Sequence, residues 1–339
     1  MEKSQKVIYL NIQIFDMILR LILCFNIVAM HSIEIKNMNK ILYFICVTGR
    51  SFYVPTFFFM SFYFSYNIFS ERNMIKLKER LLRLFIPYII WPCIFFIKYV
   101  YTNKINEKQE KIKYKDILCQ LLVGKPFHPV FWYLFVLLFW SIAFLILIFA
   151  FKDKYHFMLI LLFLIVLSLN FFGYTEQLFA NYSRLLSISI CDLFYKLFYI
   201  LSGFYLGSKA LLKKNLTIKL RIIFISVIGY FLLKNKLIER RYNYLVLQLG
   251  VNIIFISFSL FPFDLIKNKI AIFMIKLITS YTGGIYYLHW EIKYRTFNNC
   301  SFIKKNDFMS CVINYLFCYI FCFFCFQIFK NIKLKYLFI

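Results

Sequence analysis

Charge is sparse in this chain of 339 residues: only 17% are charged, and 15 are Asp or Glu. Glycine (9), proline (6) and histidine (4) are also few. Soluble domains carry about a quarter charged residues, so this shortage excludes an ordinary soluble chain, and the high apolar content excludes a disordered one. The lack of glycine and proline excludes a collagen-like or linker-rich protein. Ten cysteines are too few for a disulfide scaffold of this length. They lie mostly in apolar stretches, and Cys318, Cys322 and Cys325 share one run with no His or carboxylate beside them. Buried free thiols are therefore expected, and no metal.

What is present in excess is apolar: 62% of residues are hydrophobic, with 45 Phe and 26 Tyr. The mean hydropathy is +0.71. Such a chain belongs in a lipid bilayer. The formal net charge of +26 would suggest nucleic acid in a soluble protein. Here apolar spans separate the basic residues along the whole chain, so the partner is anionic lipid headgroups and no nucleic acid is expected.

The fold class expected is all-α, a polytopic membrane protein. A helix crossing the hydrocarbon needs about 20 mostly apolar residues. That ruler predicts ten spans, at 12–32, 48–69, 84–101, 130–151, 157–172, 185–207, 220–233, 244–262, 270–290 and 309–329. The first is interrupted by Asp16 and Arg20 and is followed by no small-residue cleavage pattern, so it reads as a retained membrane helix rather than a signal peptide. No repeat or linker divides the chain, which predicts a single transmembrane domain over 1–339. The two densest basic loops on one side, 71–83 and 208–221, carry five Lys/Arg each, although loop 102–116 on the other side also has five. The bias places the N-terminus in the cytoplasm and the protein in the cytoplasmic (inner) membrane as a multi-pass protein.

Ionisable side chains inside a span cost about 2.5–3.5 kcal/mol on insertion scales, which marks them as candidates for function. The first span has Asp16, Arg20 and His31. Steps of 4 and 11 residues return to within about 40° of one helix face, so all three point into one groove, with Arg20 and His31 about 16 Å apart along the axis. The other reading of these residues is a structural Asp16–Arg20 ion pair with His31 at the interface. Arg80 and Arg83, three apart at the mouth of the third span, share a face and suit a phosphate-bearing ligand; ordinary positive-inside anchoring is the alternative. Lys125, His128 and His156 fall in loops and read as solvated.

The chain resembles the acyltransferase 3 family, integral-membrane acyltransferases that mostly O-acetylate cell-envelope polysaccharides and related glycans. The resemblance rests on an ordered set from about residue 10 to 290. It comprises Arg20 and His31 in the first helix, the Val-Pro-x-Phe-Phe-Phe-Met-Ser run at 54–61, and Arg80 and Arg83 before Ile86-Pro87-Tyr88. Further along are the Phe-Trp-Tyr-Leu-Phe-Val-Leu-Leu run at 131–138, Gly-Phe-Tyr-Leu-Gly at 203–207 and Ser-Tyr-Thr-Gly-Gly-Ile-Tyr-Tyr-Leu-His at 280–289. One departure stands out. Where the family usually has Ser-Gly after the Phe-rich run, this chain has Ser61-Phe62, which replaces a small residue that lets helices approach closely.

The resemblance implies an acyl-CoA donor, by default acetyl-CoA, with no permanently bound cofactor, and a hydroxyl of a glycan or lipid-linked sugar as acceptor. Histidine titrates near neutral pH, so His31 is assigned to take the hydroxyl proton. Arg20 either stabilises the charge developing on the thioester oxygen or holds donor phosphates. Arg80 and Arg83 are assigned to the nucleotide phosphates. Asp16, Arg50 and His289 are supporting candidates, with packing or anchoring the alternative for Arg50 and His289. A polytopic transporter or flippase of an envelope precursor is the rival reading, for which Asp16, Arg20, Asp192, Lys196 and Lys276 would line a path. A catalytically inactive scaffold is the third. The sequence shows neither internal symmetry nor paired broken helices, which transporters of this size tend to have.

Overall fold

In this computed structural model the described residues are 14, 17–29, 54–105, 132–171, 193–205 without 195 and 198, 250, 269–292 and 307–337. Every regular element among them is helical, as a chain in lipid requires, because a helix satisfies its own backbone groups. The helices with defined bounds are α1 (Met17–Ala29), α2 (Val54–Tyr63), α3 (Tyr66–Ser70), α4 (Met74–Ile105), α5 (Trp132–Phe151), α6 (Tyr155–Phe171), α7 (Lys269–Thr279), α8 (Thr282–Ile292) and α9 (Asp307–Phe329). Three segments among the described residues are long and apolar enough to cross a membrane: Met74–Lys98, Trp132–Phe151 and Met309–Phe329. The expected spans 220–233 and, apart from residue 250, 244–262 lie outside the described residues.

The chain forms two compact units, one of residues 1–60, 215–236 and 246–339, the other of 61–214 and 237–245. The second unit is built around phenylalanine. Phe62, Phe69, Phe144 and Phe204 are at most 1% exposed. Phe144 lies 5.0 Å from Phe62, 5.9 Å from Phe69 and 5.1 Å from Phe204, centroid to centroid, which is the range in which aromatic rings attract one another. Helix α5 supplies Phe144 from a row of buried residues that includes Leu134, Leu137, Trp140 and Ile148, while Phe139, Ile142, Ile146 and Phe149 on its other face are exposed. A helix apolar all round suits a core on one side and lipid on the other.

Two of the expected boundaries are corrected here. Residues 71–83 do not form a loop, because α4 already begins at Met74 and runs on past the expected span 84–101 to Ile105. The local chemistry explains the start. Arg72 adopts a left-handed backbone (φ 51°), and its N–H donates to Phe69 O (3.2 Å) while Asn73 N–H donates to Ile68 O (3.4 Å). These two bonds close α3 as a Schellman cap. Asn73 then opens α4, its Oδ1 accepting the Lys76 N–H at 3.1 Å. Lys, Leu, Glu and Arg are good helix formers, so the basic stretch continues the helix instead of breaking it. The expected span 48–69 is likewise divided, with α2 ending at Tyr63 and α3 starting at Tyr66.

In the first unit, α8 packs on α9. The expected single span 270–290 is two helices, α7 and α8, broken at Ser280 and Tyr281. The carbonyls freed at the break find local donors. Ser280 Oγ donates to Lys276 O (2.6 Å), Thr279 Oγ1 also reaches Lys276 O (3.3 Å), and Thr282 Oγ1 donates to Thr279 O (3.2 Å). From α9, the Tyr319 hydroxyl donates to Leu277 O at 3.1 Å. An interruption in an apolar stretch is tolerable only when its backbone groups are satisfied in this way. Tyr281 fills the gap, its ring 5.4 Å from Tyr319 and 5.6 Å from Phe326.

Candidate functional site

Helix α1 carries Arg20, half-buried. Asp16 and His31 lie outside the described residues, as does Arg50. One turn beyond Arg20 and on its face is Cys24, fully buried along with Leu23, Ile27 and Val28, each at most 5% exposed. The Cys24 thiol donates to Thr282 O, the first residue of α8, at 3.6 Å. Beside it, the Phe25 ring lies 6.0 Å from that of Tyr315 on α9. The α1 face that carries Arg20 therefore continues into a seam with α8 and α9. The Tyr315 hydroxyl is buried in this unit without a hydrogen-bond partner among the described residues. Cys24, Cys311, Cys318 and Cys322 are buried free thiols, and among the described residues no group of three His, Cys, Asp or Glu is placed to hold a metal ion.

His289 sits near the end of α8 and is fully buried. Its Nδ1–H donates to Ile285 O at 3.2 Å, one turn back, and Asn314 Nδ2 of α9 donates to the His289 carbonyl at 3.3 Å. Cys318 in turn donates to Asn314 Oδ1 at 3.5 Å. His289 is thus held from its own helix and tied to α9.

In the second unit the two arginines of α4 have different surroundings. Arg80 is half-buried and turns toward the end of α2. Its Nη1 donates to Ser61 O (3.3 Å) and to Ser65 Oγ, and its Nη2 donates to Ser61 Oγ at 3.1 Å. The guanidinium lies over the Phe62 ring at 5.1 Å and over Phe69 at 5.5 Å. Ser65 is fixed in place by donating to Ser61 O at 2.7 Å. The Phe62 that replaces the family's usual glycine is fully buried and stacks on Phe69, the planes 3° apart. Arg83 instead has a side chain 58% exposed, 3.7 Å from Glu79, itself 50% exposed.

His156 is corrected: it is half-buried and packed rather than solvated. Its ring lies 4.0 Å from Tyr155 and 5.9 Å from Tyr205, whose hydroxyl donates to His156 O at 3.0 Å. Burial holds its pKa below the ordinary value. Lys196 lies over the rings of Trp132 (5.7 Å) and Tyr199 (5.8 Å), and Lys276 is exposed in the last turn of α7, where the helix dipole favours a cation. Asp192, Lys125 and His128 lie outside the described residues.

Sequence reasoning missed Ser65 and Phe69 as partners of Arg80. The signal was available for Ser65, which follows Ser61 by four residues and so repeats its helical face. Phe69 was hidden among 45 phenylalanines.

Comparison with curated proteins and with solved structures returns no match. A family described as an acyltransferase domain matches residues 17–329. With a match over nearly the whole chain, and with helices apolar and long enough to span a bilayer, the protein belongs to the acyltransferase 3 family and is a membrane acyltransferase.

Proposed function

We propose that the protein transfers an acetyl group from acetyl-CoA to a hydroxyl of a cell-envelope polysaccharide or a lipid-linked sugar. The observation that carries this reading is the family match over residues 17–329, and the ordered set of motifs behind the resemblance includes Arg20, His31, Arg80 and Arg83. The protein acts in the cytoplasmic membrane with its N-terminus inside, so that the basic start of α4 meets acetyl-CoA from the cytosol.

In the reaction the acceptor oxygen attacks the thioester carbonyl, the new C–O bond forms and the C–S bond breaks. His31 takes the acceptor's hydroxyl proton and returns it to the departing CoA thiolate. Arg20, on an apolar helix, offsets the negative charge that develops on the carbonyl oxygen, where a cation in a dry site acts strongly. Asp16, one turn from Arg20, orients it. The basic start of α4 binds the donor's phosphates, Arg50 helps hold the acceptor or the groove, and His289 supports the site through its packing in α8.

The test is acetyl transfer from labelled acetyl-CoA to isolated envelope glycan by the purified protein in nanodiscs. Label should appear on the glycan as an alkali-labile ester, with CoA thiol released in equal amount. If acetyl-CoA is not consumed with any glycan or lipid-linked sugar, the reading fails. A transporter or flippase is the second reading, and the interruption at Ser280 and Tyr281 favours it, since discontinuous helices are common in transporters. That reading predicts movement of the precursor across the bilayer without ester formation.

A further inference from the structure

We propose that Tyr315 is a catalytic residue of the transfer, its hydroxyl donating a hydrogen bond to the carbonyl oxygen of the acyl thioester; this rests on the acetyl-transfer reading above. Tyr315 is 7% exposed, and its hydroxyl oxygen is buried with no hydrogen-bond partner among the described residues. A phenol is a good donor, and buried polar groups are nearly always paired because an unmatched one is costly.

Other polar groups in the same seam are matched. Cys24 donates to Thr282 O, Cys318 to Asn314 Oδ1, Asn314 to the His289 carbonyl, and Tyr319, one turn along α9, to Leu277 O. Cys24, Cys318 and Cys322 lie close enough to Tyr315 to act on it electrostatically, yet a thiol sulfur is a weak acceptor and none of them takes its hydrogen. The hydroxyl is therefore a strong donor set among thiols and the Phe25 ring. An acetyl thioester has the complementary pattern, apolar apart from one acceptor oxygen.

The level of Tyr315 along α1 suits that oxygen. Its ring meets Phe25 at 6.0 Å, and Phe25 follows Arg20 by five residues and precedes His31 by six. On the expected register of the first span, Arg20 and His31 are about 16 Å apart along the axis, too far for the two side chains to meet at one carbonyl group. A donor midway between them closes the gap. Arg20 then acts through its charge, which reaches further in an apolar setting, while the hydroxyl supplies the directed bond. As the acceptor oxygen attacks the carbonyl carbon, the C=O electron pair moves onto oxygen, and Tyr315 donates to that oxygen without giving up its proton. When the C=O bond re-forms, the C–S bond breaks and CoA leaves as the thiolate, which takes the proton held by His31.

Tyr315→Phe in the full chain in nanodiscs tests this, because it removes the hydroxyl and keeps the ring. It should lower kcat on the order of a hundredfold, with KM for acetyl-CoA little changed. The thermal midpoint should stay level or rise, since an unpaired polar atom is removed. Tyr319→Phe, which removes a paired hydroxyl one turn away, should do the reverse and lower the midpoint with kcat kept. A third readout needs no acceptor: infrared spectra of bound acetyl-CoA with an isotope-labelled carbonyl. The labelled band should lie at lower frequency in wild type than in Tyr315→Phe.

A wild-type kcat in Tyr315→Phe overturns the proposal; if its midpoint also falls, the hydroxyl is held by an ordered water and is structural. A loss of kcat with the carbonyl band unmoved overturns it too, because the hydroxyl then serves another group. Wild type that shows the shifted band but esterifies no glycan contradicts the acceptor named above, and the band comparison still decides the role of Tyr315. Wild type that binds no acetyl-CoA removes the donor reading, and this proposal with it.

Discussion

At the scale of single residues, position 62 shows how a departure from a family pattern is absorbed. The family's small residue would allow close helix approach. Here the ring is fully buried, meets Phe144 at 5.0 Å and supports Arg80. Phe62→Gly, which restores the family residue, is therefore expected to destabilise the protein by about 3–5 kcal/mol, the cost of removing a buried phenylalanine. Thermal unfolding of the two proteins in the same detergent checks this. An unchanged midpoint would mean that the neighbouring phenylalanines close over the gap. The residues that stand out in the sequence are those whose chemistry is unusual for their setting: Arg20 in an apolar run, and Arg80 and Arg83 at one helix end. Their partners were not legible, because a serine or a phenylalanine in this chain looks like many others, and only the packing of α4 against the end of α2 shows which ones meet Arg80.

At the scale of elements, apolar length located helices among the described residues and missed their interruptions. The stretches 130–151 and 309–329 agree with α5 and α9 to within two residues, because neither contains a charged residue. The break at Ser280 and Tyr281 leaves no trace in hydropathy. It depends on hydroxyls that accommodate freed carbonyls, one of them supplied from α9. Tyr319→Phe removes that bond and should lower stability by about 1 kcal/mol, read as a lower thermal midpoint in detergent. A change of that size is absent if Ser280 N–H, which also reaches Leu277 O at 3.3 Å, satisfies the carbonyl by itself.

The first turn of α6 adds a dependence on pH. Burial depresses the pKa of His156, so the folded protein favours the neutral ring. The sign follows from linkage: this contribution is present above the unfolded value of 6.5 and is lost as pH falls through the folded value. Wild type should lose thermal stability between pH 7.5 and 5.5 more steeply than His156→Phe, with both proteins measured across that range. Parallel curves would mean that other groups govern the slope.

At the scale of the whole molecule, composition alone placed the chain in a membrane as a helical protein, and it did so because apolar content and scarce charge are properties of the entire sequence. The division into two units could not be read from it, since one unit gathers residues from both ends of the chain. The order of motifs from about residue 10 to 290 carried the resemblance, although no single motif would have done so, and the family match covers 17–329. The central claim is that this membrane acyltransferase esterifies an envelope glycan with His31 as its base. The most direct measurement is the O-acetyl content of envelope glycans from a deletion strain that carries wild type, His31→Ala or empty vector, with membrane levels of the two proteins matched. The account predicts esters restored by wild type and absent with His31→Ala and with vector. Equal ester content in all three samples would contradict it.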